Sequence, residues 1–480
     1  MRKTIIGLLG FSSIAGLAIS CADWADLCAG NVCSPLTDNG DGGDGGFVDE
    51  AKSLFVSTNG NDNTGDGSTG KPYKTIGKAL ASISPSKLTV YVCDGTYQED
   101  IVLGSAQKGV SIYGKMSCSN GDWQPSDNLP NIGKSTVALK INSASGILIG
   151  KVALIAANAV DSSSSSIGAL VVNSNNVSFQ DVSITAGTSV GATGDDGTLT
   201  EYDFPDLANL DGKSADANNA GGETSIDCPD GTTTVGGAGG LSKVDGKTGT
   251  PGPPNGGSAA VGAGACSNGN GGANGSSPNA ASGATNYGDL SADGWLPSKG
   301  SDGTPGGSGQ GGGGGGGGTT AGDNGGGGGA GGCGGAAGTG GMGGGASIAL
   351  AVYESSVTVS GKSSLTANDA GNGGDGVQGQ PGQSQPGELG GGKGAQNRNG
   401  CSGGIGGAGG NGAAGGGGAG GISVGILYKV TAPRTSPNVD STTLIKVGKN
   451  GLGGASPGYP GDATKSGKAA GDVALATLPL

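Results

Sequence analysis

Residues 137–156 read VALKINSASGILIGKVALIA, and residues 167–186 read IGALVVNSNNVSFQDVSITA. Laid one over the other, they share a pattern: an apolar strand, a polar turn (Asn142-Ser143, Asn173-Ser174), an alternating strand, and a corner of small residues. A third copy, IALAVYESSVTVSGKSSLTA, occupies residues 348–367 with its turn at Glu354-Ser355, and a looser fourth runs from Ile422 to Val447. The step from Ile147 to Val177 is 30 residues, a length that suits one coil of a solenoid. In the second copy Val177, Phe179, Val182 and Ile184 place apolar side chains to one side. Stacked coils then line up a thin, continuous core. The repeat predicts an all-β parallel solenoid.

Between the copies lies glycine, 113 of 480 residues. One glycine-rich block follows the second copy, another follows the third, and a shorter one follows the fourth. The blocks therefore leave one corner of successive coils and project from one face. Within them glycine keeps a period of three: Gly303 to Gly318, Gly326 to Gly344, and Gly403 to Gly421. A left-handed three-residue helix of the polyproline II type uses such a period, with chains packed closely in a polyglycine II-like array. Strict Gly-X-Y with abundant proline is absent, so collagen is excluded. Disorder is the other outcome open to this composition.

Hydrophobic residues are 33 % and aromatics 4 %, too few for one large core but enough for a thin repeated one. The net charge of −13 argues against a nucleic-acid partner. Histidine is absent, which removes Ser-His-Asp, Cys-His and His-based zinc chemistry.

The N-terminus reads as an export signal over residues 1–20. Arg2 and Lys3 precede an apolar stretch from Ile5 to Ile19 that is too short and too rich in Gly and Ser for a membrane span. Leu17-Ala18-Ile19-Ser20-Cys21 resembles a bacterial lipobox, in which Cys21 is lipidated and becomes the mature N-terminus; Ala18 stands where that pattern usually has Leu. Ordinary signal-peptide cleavage nearby is the alternative, and both give an exported chain. Export permits disulfides. Cys28, Cys33, Cys93, Cys118, Cys228, Cys266, Cys333 and Cys401 make an even set beyond Cys21. Pairing of sequence neighbours is the simplest expectation: 28 with 33, 93 with 118, 228 with 266, and 333 with 401. No C-x-x-C pair supports a metal site. Residues 21–52 read as a lipid-anchored linker, and its acidic run Asp38–Gly46 suits a solvated tether better than a calcium loop, having no closing Glu.

Ordered structure is expected from residue 53. The order "VSTNGND…GDGS…KPYKTIGKAL…TVYVCDGTYQEDIVL…GVSIYG" over residues 54–115 resembles the opening of right-handed parallel β-helix proteins of the pectate-lyase-like superfamily. The resemblance implies a right-handed parallel β-helix whose open end is covered by an N-terminal capping helix, here the amphipathic stretch with Ile76, Ala79, Leu80 and Ile83. Glycine-rich blocks together with a lipobox are similar to the PGRS-type exported proteins of myxobacteria and related groups. The expected organisation is β-helix over 53–195, glycine-rich insert over 196–345, a coil over 346–370, a second insert over 371–421, and C-terminal coil or coils over 422–480.

Superfamily resemblance also implies an alternative, a polysaccharide lyase using Lys and Ca²⁺ bound by acidic clusters, or a hydrolase using paired aspartates. The coil strands carry few such groups. Asp181 and Glu354 stand alone, while Asp195-Asp196, Glu201, Asp203 and Asp206 fall where the long insert begins. No Walker-type phosphate loop exists, and one partial "GGDG" near Gly373 is not repeated in tandem, as a calcium-binding glycine repeat would be. Trp24, Trp123 and Trp295 are scattered, and Trp123 suits packing better than a sugar platform. No regular T-x-T ladder suggests ice binding. The reading is a non-catalytic lipoprotein of the cell envelope, outer membrane or cell surface, structural or adhesive. It has no catalytic residues, metal site or cofactor. Its partners are the membrane, through the lipid anchor, and a surface polysaccharide or other envelope component.

Overall fold

The computed structural model describes residues 48–119, 121–193, 198–252, 254–385, 389–458, 462–469 and 475–480. The signal segment, Cys21, Trp24, Cys28, Cys33, the run Asp38–Gly46 and the Asp195-Asp196 pair lie outside the described residues.

The chain winds through three parallel sheets in fixed order. Sheet I stacks Ser53–Val56, Thr89–Cys93, Ser111–Ser119, Ser145–Gly150, Asn175–Gln180, Val357–Ser360 and Asn438–Val439. Sheet II stacks Thr96–Tyr97, Asn131–Ile132, Ala153–Ile155, Ser183–Thr185, Ser364–Thr366 and Leu444–Lys446. Sheet III stacks Ile101–Leu103, Val137–Asn142, Ser166–Val172, Ser347–Tyr353, Ser423–Lys429 and Leu475–Pro479. This is a parallel β-helix. Its register is the alignment of the sequence repeat, with Ile167 paired to Val137 on one side and to Ile348 on the other. The fourth copy is the exception: Val424, not Ile422, pairs with Ile348. Inward residues such as Ile147, Val177 and Val357 on sheet I, and Leu154, Ile184 and Leu365 on sheet II, form one buried cluster along the axis.

Two corners of each coil are made by one residue in the left-handed region. Leaving sheet III these are Ser143 (φ 57°), Asn173 (48°) and Glu354 (44°); leaving sheet I they are Lys151 (55°), Asp181 (51°) and Gly361 (70°). Such a backbone costs a non-glycine residue roughly 1–2 kcal/mol, and the corners answer with hydrogen bonds between coils. The Ser174 hydroxyl donates to Val172 O (2.7 Å) and accepts from Ala144 N (3.1 Å), and the Ser355 hydroxyl accepts from Ser174 N (2.9 Å).

At the third corner, between sheets II and III, the chain leaves in long excursions: residues 186–346, then 367–422, then 447–474. A fully buried serine heads three successive sheet III strands at this corner, at Ser166, Ser347 and Ser423. Ser166 Oγ donates to Ala157 O and accepts from Gly187 N; Ser347 Oγ donates to Gly187 O and accepts from Asn368 N; Ser423 Oγ donates to Asn368 O and accepts from Gly448 N. These hydroxyls clamp successive coils where the chain diverges. Removing one strands a buried donor and acceptor, at about 1–3 kcal/mol per group.

The glycine segments lie outside any strand and hydrogen-bond to one another at steps of three. From Gly326 N→Cys401 O to Gly344 N→Ala419 O, every third amide of one segment donates to a parallel segment, and the same series runs on into Ser347 N→Ile422 O at the start of sheet III. From Gly406 N→Gly391 O to Gly421 N→Gly371 O, a third segment is bonded antiparallel. The period of three is therefore the hydrogen-bond period. Gly311–Gly318, the one run of eight glycines, explains itself on these terms. Gly312 and Gly315 donate to Gly329 and Gly326; Gly313 and Gly316 donate to Asn270 and Ser267; Gly311, Gly314 and Gly317 donate to Thr250, Lys247 and Val244. All three faces are in contact and all eight residues are buried. A Cβ on Gly314 would run into the Ala238 carbonyl.

Two hairpins within the first excursion, Thr224–Asp227 with Thr233–Gly236 and Gly288–Ser291 with Gly294–Pro297, have no counterpart in the expected organisation. The second lays Leu290 and Trp295 on the outer face of sheet III, against Ile167, Leu170, Ala351 and Leu427. Of the expected disulfides, Cys93–Cys118 is present. The other two pairings among the described residues are Cys228–Cys333 and Cys266–Cys401, not 228 with 266 and 333 with 401. Packed neighbours in the glycine array are far apart in sequence, so the nearest cysteine in space is not the nearest in the chain. These links close loops with separations of 105 and 135 residues, each worth about 4–5 kcal/mol in the chain-entropy model.

A Gly314→Ala substitution should lower the melting temperature, by the equivalent of about 1–3 kcal/mol for an added methyl with nowhere to go. Gly70→Ala, where nothing lies within 4 Å of the added carbon, should be neutral or slightly stabilising. Thermal melts of the two variants and the parent check this.

Candidate functional site

The capping region shows where the resemblance-bearing residues act. The helix Ile76–Ala81 buries Ile76, Ala79 and Leu80 over the first coil, while Ile83 lies beyond its end and is half-buried. Thr75 caps it, its hydroxyl accepting from Lys78 N (3.1 Å). Asp62 accepts from Lys74 N, Thr75 N and the Thr75 hydroxyl, and Glu99 accepts from Ile76 N and Gly77 N. Partial burial pushes the Asp62 carboxyl up, but the hydrogen bonds from Thr75 and Lys74 and the Lys78 charge outweigh it and hold the group below its usual value. The Tyr97 hydroxyl, buried, donates to Cys93 O (3.0 Å). Desolvation raises its pKa, as it does that of Tyr113, which is pushed up to about 12.

Beside this cap an open groove of about 650 Å³ crosses the outer face of sheet II. Its floor is made by Thr96, Asn131, Ala153, Ile155 and Ser183, outward positions of successive sheet II strands. Asp94 and Gly95, the turn from sheet I into sheet II, form one wall; Asp127, Asn128 and Leu129 form the other. Ile155 is 43 % exposed. Two carboxylates, two amides, two hydroxyls and a small apolar floor make a surface able to hydrogen-bond a polyol.

The acidic residues singled out from sequence are not brought together there. Asp181 accepts from Lys362 N (2.9 Å) at its corner. Glu354 pairs with Arg434 (3.3 Å) and accepts from Thr431. Glu201, Asp203 and Asp206 stay exposed in the irregular start of the first excursion. Asp375, in the "GGDG" stretch, accepts from Ala455 N (2.6 Å), continuing Asp369 to Lys449 N and Asn372 to Leu452 N at steps of three. Among the described residues no group of three or more His, Cys, Asp or Glu could hold a metal ion. Trp123 is buried against Phe55 (4.9 Å, edge-on), and its Nε1 donates to Thr69 O. Trp295 is buried over sheet III. Sequence reasoning missed the groove acids. Asp94 stands inside the quoted "CDGTY" turn, but its partner in the groove, Asp127, follows a hairpin, Asp122–Pro125 against Ser111–Ser119, whose course the pattern does not give.

Residues 58–186 match a family described as "Protein of unknown function (DUF1565)", which is associated with parallel β-helix proteins. Among solved structures the chain is similar to "Pectin methylesterase from Carrot", at 16 % identity over 29 % of this chain and 41 % of that one, with a TM-score of 0.21. The matched part is less than half the length of that enzyme. No curated protein matches.

The depressed Asp62 carboxyl gives a pH prediction. A folded-state pKa below the ordinary 3.8 means that its contribution is fully present above about pH 4 and is lost as pH falls through the depressed value. Asp62→Asn should therefore melt below the parent at neutral pH. That gap should close as the pH falls well below 3.8, as thermal melts across pH will show.

Proposed function

We propose that this chain is a non-catalytic, exported envelope lipoprotein held to a membrane through Cys21, in which a right-handed β-helix carries a packed polyglycine II-type array as a rigid structural or adhesive element. One observation carries the reading: Gly311–Gly318 donate amide hydrogen bonds on all three faces of the segment. A chain that serves only as a flexible brush has no use for such bonding, or for two disulfides spanning the array. The coil corners point the same way, since Asp181 and Glu354 spend their carboxylates on holding the turns. PGRS-type surface proteins are the class this composition is similar to.

A carbohydrate-active or carbohydrate-binding role is the second reading, favoured by the sheet II groove with Asp94 and Asp127. Incubation of the purified protein with pectin, polygalacturonate and alginate, with and without Ca²⁺, separates the two. The proposal expects neither unsaturated products nor new reducing ends. Chelator-sensitive cleavage, abolished in Asp94→Asn or Asp127→Asn, would establish the enzyme instead. For the anchor, labelling with a fatty-acid analogue in the producing cell should mark the parent and not Cys21→Ala; equal labelling, or none in either, rules the anchor out.

A further inference from the structure

The acidic side chains divide into two kinds. Asp62, Glu99, Asp181, Glu354 and Asp375 accept hydrogen bonds from backbone amides or side chains and hold the fold. Those in the sheet II groove hold nothing. The polar approach to the Asp94 carboxylate is Cys93 Sγ at 3.4 Å, and as a disulfide sulfur this has no proton to give. Asp127 and the side-chain amides of Asn128 and Asn131 make no hydrogen bond with the described residues. The groove thus presents unspent acceptors and donors on a floor with an apolar centre at Ile155.

Its surroundings favour a long ligand. Sheet III is covered by the hairpin bearing Leu290 and Trp295, and the first strands of sheet I by Trp123. Sheet II stays open past Ser183 at the edge of the groove, with Thr185, Ser364 and Thr366 partly exposed. At about 4.8 Å per strand, its six strands offer a strip of roughly 24 Å along the axis. An extended polymer of hydroxyl-bearing rings fits such a strip, setting C–H faces on Ile155 and hydroxyls on the Ser, Thr and Asn side chains.

Charge then selects the polymer. No lysine or arginine lines the groove, and two carboxylates do. A like charge brought close to either is repelled and an opposite charge attracted, more strongly beside the protein surface than in bulk water. A polyuronate is repelled at each ring that meets these walls, whereas a ring bearing a protonated amine is drawn in. The chain's net charge of −13 adds attraction at long range.

We propose that the sheet II groove binds an amine-bearing glycan, a polysaccharide exposing free amino groups, through Asp94 and Asp127. This rests on the adhesive form of the function proposed above and names its partner class. The test measures binding of the intact protein to three soluble probes of equal length: fully deacetylated chitosan oligomers, the same oligomers N-acetylated, and oligogalacturonate. The deacetylated oligomer should bind, the acetylated one about tenfold or more weaker, and oligogalacturonate not measurably. Asp94→Asn with Asp127→Asn should lose about tenfold or more for the deacetylated probe. Glu201→Gln with Asp203→Asn, which removes the same charge elsewhere, should change nothing. Equal loss in both double variants, equal affinity for acetylated and deacetylated probes, or binding of oligogalacturonate would overturn the proposal. Probe length is read after incubation. A shortened oligomer would end the non-catalytic reading and leave the ligand class standing, while absence of binding would end the ligand class and leave the scaffold standing.

Discussion

A backbone amide that reaches a neighbouring carbonyl at every third residue, with no Cβ in the way, is the contact on which the rest of this molecule depends. The segments of the array approach so closely that an added methyl would meet backbone at most of their glycines, as at Gly314 against Ala238 and Gly328 against Gly312. Such a layer buries little side chain, so hydrophobic burial cannot hold it together. Its cohesion comes from hydrogen bonds and from close backbone packing, both of which fail if register slips by one residue. Register is therefore the quantity the fold has to fix.

The β-helix fixes it. The return segments of the array run without a break into Ser347–Tyr353 and Ser423–Lys429, whose side chains are packed on both faces, inward in the axial core and outward under Leu290 and Trp295, and paired rung to rung as Ile348 with Val424. At the diverging corner the Ser347 and Ser423 hydroxyls tie the first two departing segments, at Gly187 and Asn368, to the strands that receive their return. Within the array, Cys228–Cys333, set in a small apolar cluster with Leu210 and Ile226, and Cys266–Cys401 hold the alignment. In turn, the array supplies the hairpin that covers sheet III through Leu290 and Trp295. Scaffold and excursions are parts of one structure.

The parallel coils were legible because the alternation of Val177, Phe179 and Ile184 recurs at Ile147, Ile149 and Leu154, and each side chain has one place to go. The corner of departure was legible for the same reason. The serine clamp was not, although Ser166, Ser347 and Ser423 each stand at the head of a sheet III strand; a polar residue at the edge of an apolar run reads as a boundary, not as a buried bridge. Disulfide pairing within the array was misjudged because its contacts join segments over a hundred residues apart. The groove was invisible because Asp94 and Asp127 line one surface only once a hairpin has brought the chain back beside the turn at Gly95. Local pattern carries the coil; long-range closure carries the array and the groove.

Hydrogen exchange of the amides in Gly311–Gly318 tests the central claim most directly, since these residues have no side chain to protect them and only their hydrogen bonds can. The account predicts protection comparable to that of the sheet III strand Ser347–Tyr353, measured in the same protein by mass spectrometry of the corresponding peptides. Exchange at the rate of an unstructured glycine peptide, with Ser347–Tyr353 still protected, would contradict it.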